Sequence, residues 1–426
     1  MLNMKIQFLF PLLLVCSVGA QQNAKATSVH QSIQSETDKI FNKLIEIRRD
    51  LHENPELAGQ EIRTQNVLEK YLLNLGLEVQ KDLYGHSLVG ILRGGKKGKK
   101  IAWRADMDAL SGDNTDKVSF KSKNKGAWHG CGHDVHMAIG LGIAEVLSKY
   151  KKELKGTVYF IFQPEEETFI GARKMIDNGL FSKISPDEIY GLHVTALPVG
   201  QIMTKPEEIF AYQRRVKIEL KNTLPDKEIK ELSKQISLSL SRSENNTKPW
   251  EIQHISDPKI GLKNPNTIFK NYRIIDGNFT SGSDDKGFSV KTYIYETNSD
   301  KLNEIIPQIK QVLETNGYKD QLISISYVQE NPTIFNDKSL TNLASETLEK
   351  VYGKTAVVRD YGQVPYFNDD FSYFQQKKRG VYFLLGGSNS AKRIVAMNHT
   401  AGFEVDEESI RTGVKSFSSL IYERLK

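Results

Sequence analysis

Four short apolar runs constrain the fold most: "HSLVGILRG", "KIAWRADMD", "GTVYFIFQP" and "EIYGLHV", starting at His86, Lys100, Gly156 and Glu188. Each has strand length and is rich in β-branched and aromatic residues. A helical stretch, "HMAIGLGIAEVLSKY" from His136, separates the second from the third. Strands that alternate with helices imply an α/β layer around a largely parallel sheet. The ends of the runs carry the chemistry. "KIAWRA" ends at Asp106-Met107-Asp108, "TVYFIFQ" at Pro164-Glu165-Glu166-Glu167, and "EIYGL" at His193. Open α/β sheets bind ligands at the carboxyl edge of their strands. These acids and this histidine are therefore expected on one edge.

Elsewhere the texture differs. From about Thr27 to Leu75 apolar residues recur at three and four spacings, with a break at Pro55 and Gly59, so two helices are expected. The basic run Lys96-Lys97-Gly98-Lys99-Lys100 reads as a solvated turn between strands. From about Ala211 the chain reads as a strand ("RRVKIELKN"), an amphipathic helix after Pro225, a strand pair, a second helix and another strand. That is a self-contained α+β insert, with a sheet carrying two helices on one face. A chain of 426 residues is long enough for two cores. The expected division is a catalytic part over 27–210 and 331–426, with an inserted lid over 211–330.

The first twenty residues read as a secretory signal peptide. Lys5 precedes an apolar run, and Val18-Gly19-Ala20 places small residues before a cut after Ala20. The run is too short to span a membrane, and no later stretch compares with it. Export to the periplasm or the extracellular space is the expectation. Cys16 leaves with the signal, so the mature chain holds one thiol, Cys131. A lone thiol in an oxidising compartment is a liability unless a metal holds it. The net charge is +6, but lysines are interleaved with acids, and no basic stripe with aromatics marks a nucleic-acid partner.

That thiol lies in "WHGCGHDVH", residues 128–136, with three histidines and an aspartate. Imidazole and thiolate are preferred ligands of Zn²⁺ and similar ions. The chain lacks the paired cysteines of a closed structural zinc site, so scattered residues suit an open catalytic site instead. Read singly, each candidate has a plain alternative. Cys131 beside His133 is coincidence, Glu166-Glu167 is a solvated loop, and Asp108, His193 and His399 are structural. His129 and His136 read as supporting residues and Asp134 as a partner of a ligand.

Read together and in order, the segments "RRDLHENPELAGQEIRT", "AWRADMDAL", "HGCGHDVHMA", "GTVYFIFQPEEE", "GLHVTALPVGQI", "DDFSYF" and "MNHTAGFEVDEESI" resemble one family. It is the metal-dependent aminoacylase and carboxypeptidase superfamily, in the N-acyl-amino-acid amidohydrolase branch that includes hippurate and auxin-conjugate hydrolases. The resemblance implies a dinuclear-metal exopeptidase-like α/β domain with an inserted α+β lid that dimerises in relatives. It implies two divalent ions (Zn, Mn or Co) held by Cys131, His133, Glu167, His193 and His399. Glu166 would be the general base that moves a proton from the attacking water to the leaving amine, and Asp108 would orient a ligand or that base. The substrate would be an N-acyl amino acid or small peptide. Dipeptidase or aminopeptidase activity is the runner-up.

Two departures fall where substrate is gripped. The family's Gly-Gly-His-Ala-Ala turn after the first lid strand is replaced by "ELKNTLPDKE", with neither glycine nor histidine, and "DMDAL" is followed by "SGDNTDK" rather than Pro-x-x-Glu. The lid histidine stabilises the tetrahedral intermediate in many members, and His254 is not expected to replace it. A metal-holding binding protein that has lost catalysis is therefore a competing reading, which the retained Glu166 opposes.

Overall fold

A computed structural model describes residues 12–113, 117–245, 247–284 and 287–426. The first eleven residues of the expected export signal lie outside these, as do 114–116 of the altered 111–117 segment.

Helix Leu12–Glu53 and helix Ile62–Asn74 flank the break at Pro55 and Gly59. A mixed sheet of eight strands follows, in the spatial order Glu78–Lys81, Leu88–Arg93, Lys155–Gln163, Lys96–Asp106, Glu188–Pro198, Arg379–Ser388, Ile202–Met203, Val357–Val358. Its four central strands are mutually parallel. Leu88–Arg93 runs antiparallel to Lys155–Gln163 at one margin, and Ile202–Met203 antiparallel to Arg379–Ser388 at the other.

Successive strand residues face opposite sides. Ile101, Trp103 and Ala105 join Phe160 and Phe383 in one core, beneath helices His133–Ser148, Lys338–Tyr352 and Glu408–Leu425. Ala102 faces the other core with Tyr159, Ile161 and Tyr382, against helix residues Ala172, Phe371 and Phe374. The Phe417 ring stands 4.9 Å from both Trp103 and Phe383 and pins the last helix to the sheet. Burying such a ring contributes about 1.5–3 kcal/mol.

The lysine run does not form the expected turn. Lys96 to Lys100 open the Lys96–Asp106 strand, and all five residues are exposed. The chain turns at Gly94-Gly95, where the Gly94 amide bonds to the Gly156 carbonyl at the neighbouring strand's start and the Gly95 amide to the Lys151 carbonyl in the turn before it. Backbone pairing holds the lysines extended while their side chains stay in water.

The second sheet is antiparallel, in the order Arg273–Ile275, Gly287–Glu296, Tyr212–Leu220, Leu322–Glu330, with Thr280–Asp284 also paired to Gly287–Glu296. Val216, Ile218 and Leu220 alternate into a separate core beneath helices Asp226–Leu240 and Ile305–Thr315. The opposite face carries Gln213 and Tyr293. The connection 241–272 packs back on the first sheet, since Leu262, Ile268, Phe269 and Tyr272 belong to its second core. No helix among the described residues is long and apolar enough to cross a membrane.

Candidate active site

The carboxyl edge of the parallel strands gathers the residues singled out above. One expectation needs correcting: the Glu188–Pro198 strand does not end at His193, because pairing with Arg379–Ser388 continues to Pro198. His193 is instead an interior strand residue whose side chain faces Cys131.

Cys131 and His133 straddle Gly132, which precedes helix His133–Ser148. Gly132 has φ +94°, and a Cβ there would lie 2.4 Å from Val194 Cγ1. Only glycine meets both demands. The tight turn aims a sulfur and an imidazole at the same space. His133 Nδ1 donates to the Asp108 carbonyl at 2.8 Å. Its Nε2 is buried without a hydrogen-bond partner, 3.8 Å from Glu166 and 3.7 Å from Glu167. His193 Nδ1 donates to the Val194 carbonyl at 2.7 Å, which turns its Nε2 toward Cys131 Sγ, 3.2 Å away. His399 Nε2 is 3.1 Å from the same sulfur and 3.3 Å from Glu167 Oε1. The Asp108 carboxylate accepts from the amides of Glu166 and Glu167 at 3.1 and 2.9 Å, so it holds the loop that presents both.

The donors form overlapping sets: Cys131 with His133 and His193, Cys131 with Glu167 and His399, and His133 with Glu166 and Glu167. A sulfur common to two sets, with His133 Nε2 left without a hydrogen-bond partner and Glu167 Oε1 beside His399, is the donor pattern of a paired-cation site. Buried polar groups of this kind are costly alone. Burial and the neighbouring Glu167 and Glu166 push the Cys131 thiol well up from its ordinary value. A coordinated cation reverses that balance.

His136 is not part of this set. Its Nδ1 meets Asp106 at 2.6 Å and its Nε2 accepts from the Val194 amide at 2.9 Å, so both nitrogens are occupied. Asp134 does not touch a ligand, contrary to expectation. It pairs with Arg48 at 2.7 Å and His52 at 2.8 Å, one layer behind the site. His129 is buried with neither nitrogen hydrogen-bonded, and burial lowers it to about 3, so it is neutral.

Sequence reasoning missed a buried charge network. Arg104 pairs with Asp106 at 2.5 Å, Asp369 at 3.1 Å and Asp370 at 3.0 Å. Gln163 donates to Asp370. An arginine within an apolar central strand was the available signal, since such a residue needs partners. Glu166 lies against Asp369 and Asp370. Burial, then Asp369, Glu167 and Asp370, raise its carboxyl well above the usual range.

Above the donors lies a chamber of about 420 Å³. Glu166, Glu167, His193 and His399 line one side, and Gln213, Tyr293, Tyr295 and Gln329 of the second sheet line the other. No lysine or arginine lines it among the described residues. His254 lies elsewhere, with Nδ1 3.0 Å from the Lys248 carbonyl. Phe169, Tyr366 and His399 around the chamber, and the adjacent Glu165, have φ between +56° and +60°. Such non-glycine strain gathers at functional sites.

A family model, peptidase family M20/M25/M40, matches residues 102–423. The chain belongs to this family. It is 30% identical over 400 residues to thermostable carboxypeptidase 2 of Saccharolobus solfataricus, covering 92% of this chain and 97% of that one. It is 29% identical over 397 residues to N-acetylcysteine deacetylase of Bacillus subtilis, covering 90% and 97%. The crystal structure of the Bacillus subtilis YXEP protein, described as a dinuclear metal-binding M20 peptidase, superposes with a TM-score of 0.70 at 27% identity, over 91% of this chain and 99% of that one. Relatives in this metal-dependent family are hydrolases acting on amide bonds.

Proposed function

We propose that this protein is an exported metal-dependent amidohydrolase that cleaves N-acyl amino acids or small peptides. The observation that carries the reading is Cys131 Sγ between the Nε2 atoms of His193 and His399, with the unpartnered His133 Nε2 and the Glu167 carboxylate beside it. Cys131, His133, Glu167, His193 and His399 would hold two divalent ions, zinc, manganese or cobalt. When bound, such a pair supplies Lewis acidity at the scissile carbonyl and lowers the pKa of the attacking water.

The chain's own residues handle the proton. Glu166 takes it from the attacking water and gives it to the amide nitrogen as the C–N bond breaks, releasing an acid and an amine. Burial beside Asp369 and Asp370 raises its proton affinity, which suits a group that carries a proton between two steps. Asp108 keeps Glu166 and Glu167 in place through their amides. Residues 211–330 act as the lid, and Gln213, Tyr293, Tyr295 and Gln329 offer neutral hydrogen-bonding groups to the chamber. Exposed Leu238, Ile323 and Val328 on this unit support a dimer formed through it.

The test is to load the protein with Zn²⁺, Mn²⁺ or Co²⁺ and assay N-acyl amino acids beside peptides with free amino termini. Turnover of acyl amino acids, abolished by Glu166→Gln at equal metal content, is expected. Metal-bound protein that turns over neither class would leave only the binding-protein reading. For export, N-terminal sequencing of the secreted or periplasmic protein should begin at Gln21.

A further inference from the structure

The amino edge of the parallel strands, opposite the donors, concentrates positive charge. Lys96, Lys97, Lys99 and Lys100 are exposed at the start of one strand, and Lys96 is the register partner of Lys155, which opens the next. Lys151 and Lys152, also exposed, lie in the turn before Lys155, where the Gly95 amide bonds to the Lys151 carbonyl at 2.7 Å. Backbone pairing thus sets two lysine-rich segments side by side. Lys99 pairs with Glu188 at 3.1 Å, and Lys100 Nζ donates to Ser185 Oγ at 3.3 Å. Lys96, Lys97, Lys151, Lys152 and Lys155 have no ion pair among the described residues. The acids nearby are engaged with other groups. Glu78 holds Arg93 at 2.7 Å, Asp187 accepts from the Lys100 amide at 2.8 Å, Glu188 also holds Arg424, and Glu153 accepts from the Tyr422 hydroxyl at 3.4 Å. Self-repulsion of this kind opposes the compact state and is relieved by an anionic partner.

The first helix passes the same edge. Tyr150, the residue before Lys151, donates to Ser32 Oγ at 2.7 Å, and His30 meets Glu423 at 3.1 Å. From there the helix runs toward the donor edge, where Arg48 meets Asp134. The turns that precede His30, and the apolar run before them, therefore leave the fold at the lysine edge. Strand Lys96–Asp106 has 11 residues, so roughly 30 Å separates the lysines from the donors. We infer that this edge docks on an anionic lipid bilayer, with the chamber turned away toward solution. Lysine is a compact, hydrated point charge, which suits a diffuse layer of headgroups. Nucleic acid is better met by arginine forks and stacking aromatics. Arg93 and Arg424 beside the patch are already paired, and residues 96–100 and 151–155 contain no aromatic side chain. Each basic residue near an anionic bilayer strengthens binding roughly fivefold. Docking of this kind is independent of the reaction proposed above.

Co-sedimentation of the full chain with two kinds of vesicle tests it: phosphatidylcholine alone, and phosphatidylcholine with one quarter phosphatidylglycerol. Insertion of the apolar run at the amino terminus contributes to both, so the ratio between them reads the charge. At least tenfold tighter binding to the anionic vesicles is expected, lost as salt is raised and screens the lysines. Replacing Lys96, Lys97, Lys151 and Lys152 together by Gln should weaken anionic binding at least tenfold. An equal charge change on the lid, with Lys227, Lys230, Lys234 and Lys310 replaced by Gln, should leave it within twofold, since these exposed lysines lie far from the edge in the chain and on the other sheet's helices. An unchanged thermal midpoint shows that each variant folds, and the pairs Lys96→Gln with Lys97→Gln and Lys151→Gln with Lys152→Gln serve if the fourfold variant does not. Equal binding to both vesicles overturns the docking surface. So does equal weakening by the edge and lid variants, which would reduce the effect to net charge. A DNA duplex that displaces the protein from the vesicles at a lower phosphate concentration than the lipid presents would overturn the bilayer as the partner.

Discussion

Glu166, Asp369 and Asp370 form one buried acidic cluster, and Arg104 is the cation that makes it tolerable. If Glu166 carries the proton, Glu166→Gln should lower kcat by about 10²–10⁴ with metal content unchanged, as mass spectrometry of the native protein would show. A loss of metal would instead make Glu166 a ligand. A second carboxyl allows a pH test. Glu61 is fully buried, and its Oε1 accepts from the Glu165 amide at 3.0 Å. Burial and Asp108 raise it from 4.5 to about 7. The folded state therefore holds this proton more tightly than the unfolded chain does. Its favourable contribution is complete below about pH 4.5 and is lost as pH rises to about 7. Glu61→Gln in the metal-free chain should thus be more stable than the parent at pH 8, by about 3 kcal/mol, with the gap closing toward pH 4.5. Urea unfolding at both ends of this window checks it. A constant difference would place the effect in packing.

At the scale of elements, the start of helix His133–Ser148 is the demanding piece. Gly132→Ala combines φ +94° with a Cβ 2.4 Å from Val194 Cγ1, so the turn must move and take Cys131 and His133 with it. Strain of about 1–3 kcal/mol is expected, along with a fall in bound metal. Calorimetry and metal stoichiometry read the two effects separately. Arg104→Met would strip the cation from three buried aspartates and should cost about 3–5 kcal/mol. The strands and helices were largely legible, because period 2 and period 3.6 show directly in the apolar pattern. The lysine run misled because exposed strand residues bury nothing and leave no pattern. His193 was read as a strand terminus because pairing, not composition, decides where a strand stops.

For the molecule as a whole, the chamber between the two sheets is where the proposed substrate would be held. Its lining holds glutamines, tyrosines and asparagines but no lysine or arginine among the described residues. A substrate carboxylate would be met by neutral donors. Replacing it with a carboxamide should then cost about tenfold or less in kcat/KM, since about 1.4 kcal/mol separates each factor of ten. A much larger loss would reveal a cation brought in by closure of the lid or by a second copy. Steady-state kinetics on matched substrate pairs decide this.

The sequence alone determined the α/β class and the donor types, because periodicity and ligand chemistry are local properties; it read the insert as self-contained, whereas the connection 241–272 packs into the second core of the first sheet. It singled out Cys131, His133, Glu166, Glu167, His193, His399 and Asp108, and the structure brings all seven to one place. Only the tertiary structure separated donors from look-alikes. His136 is occupied at both nitrogens, and Asp134 belongs to Arg48 and His52. It also revealed that Arg104 joins Asp106, Asp369 and Asp370, and that the insert's Gln213, Tyr293, Tyr295 and Gln329 face the donors. Those pairings join residues far apart in the chain, and which nitrogen is free or which face turns inward is decided by contacts that sequence spacing does not encode.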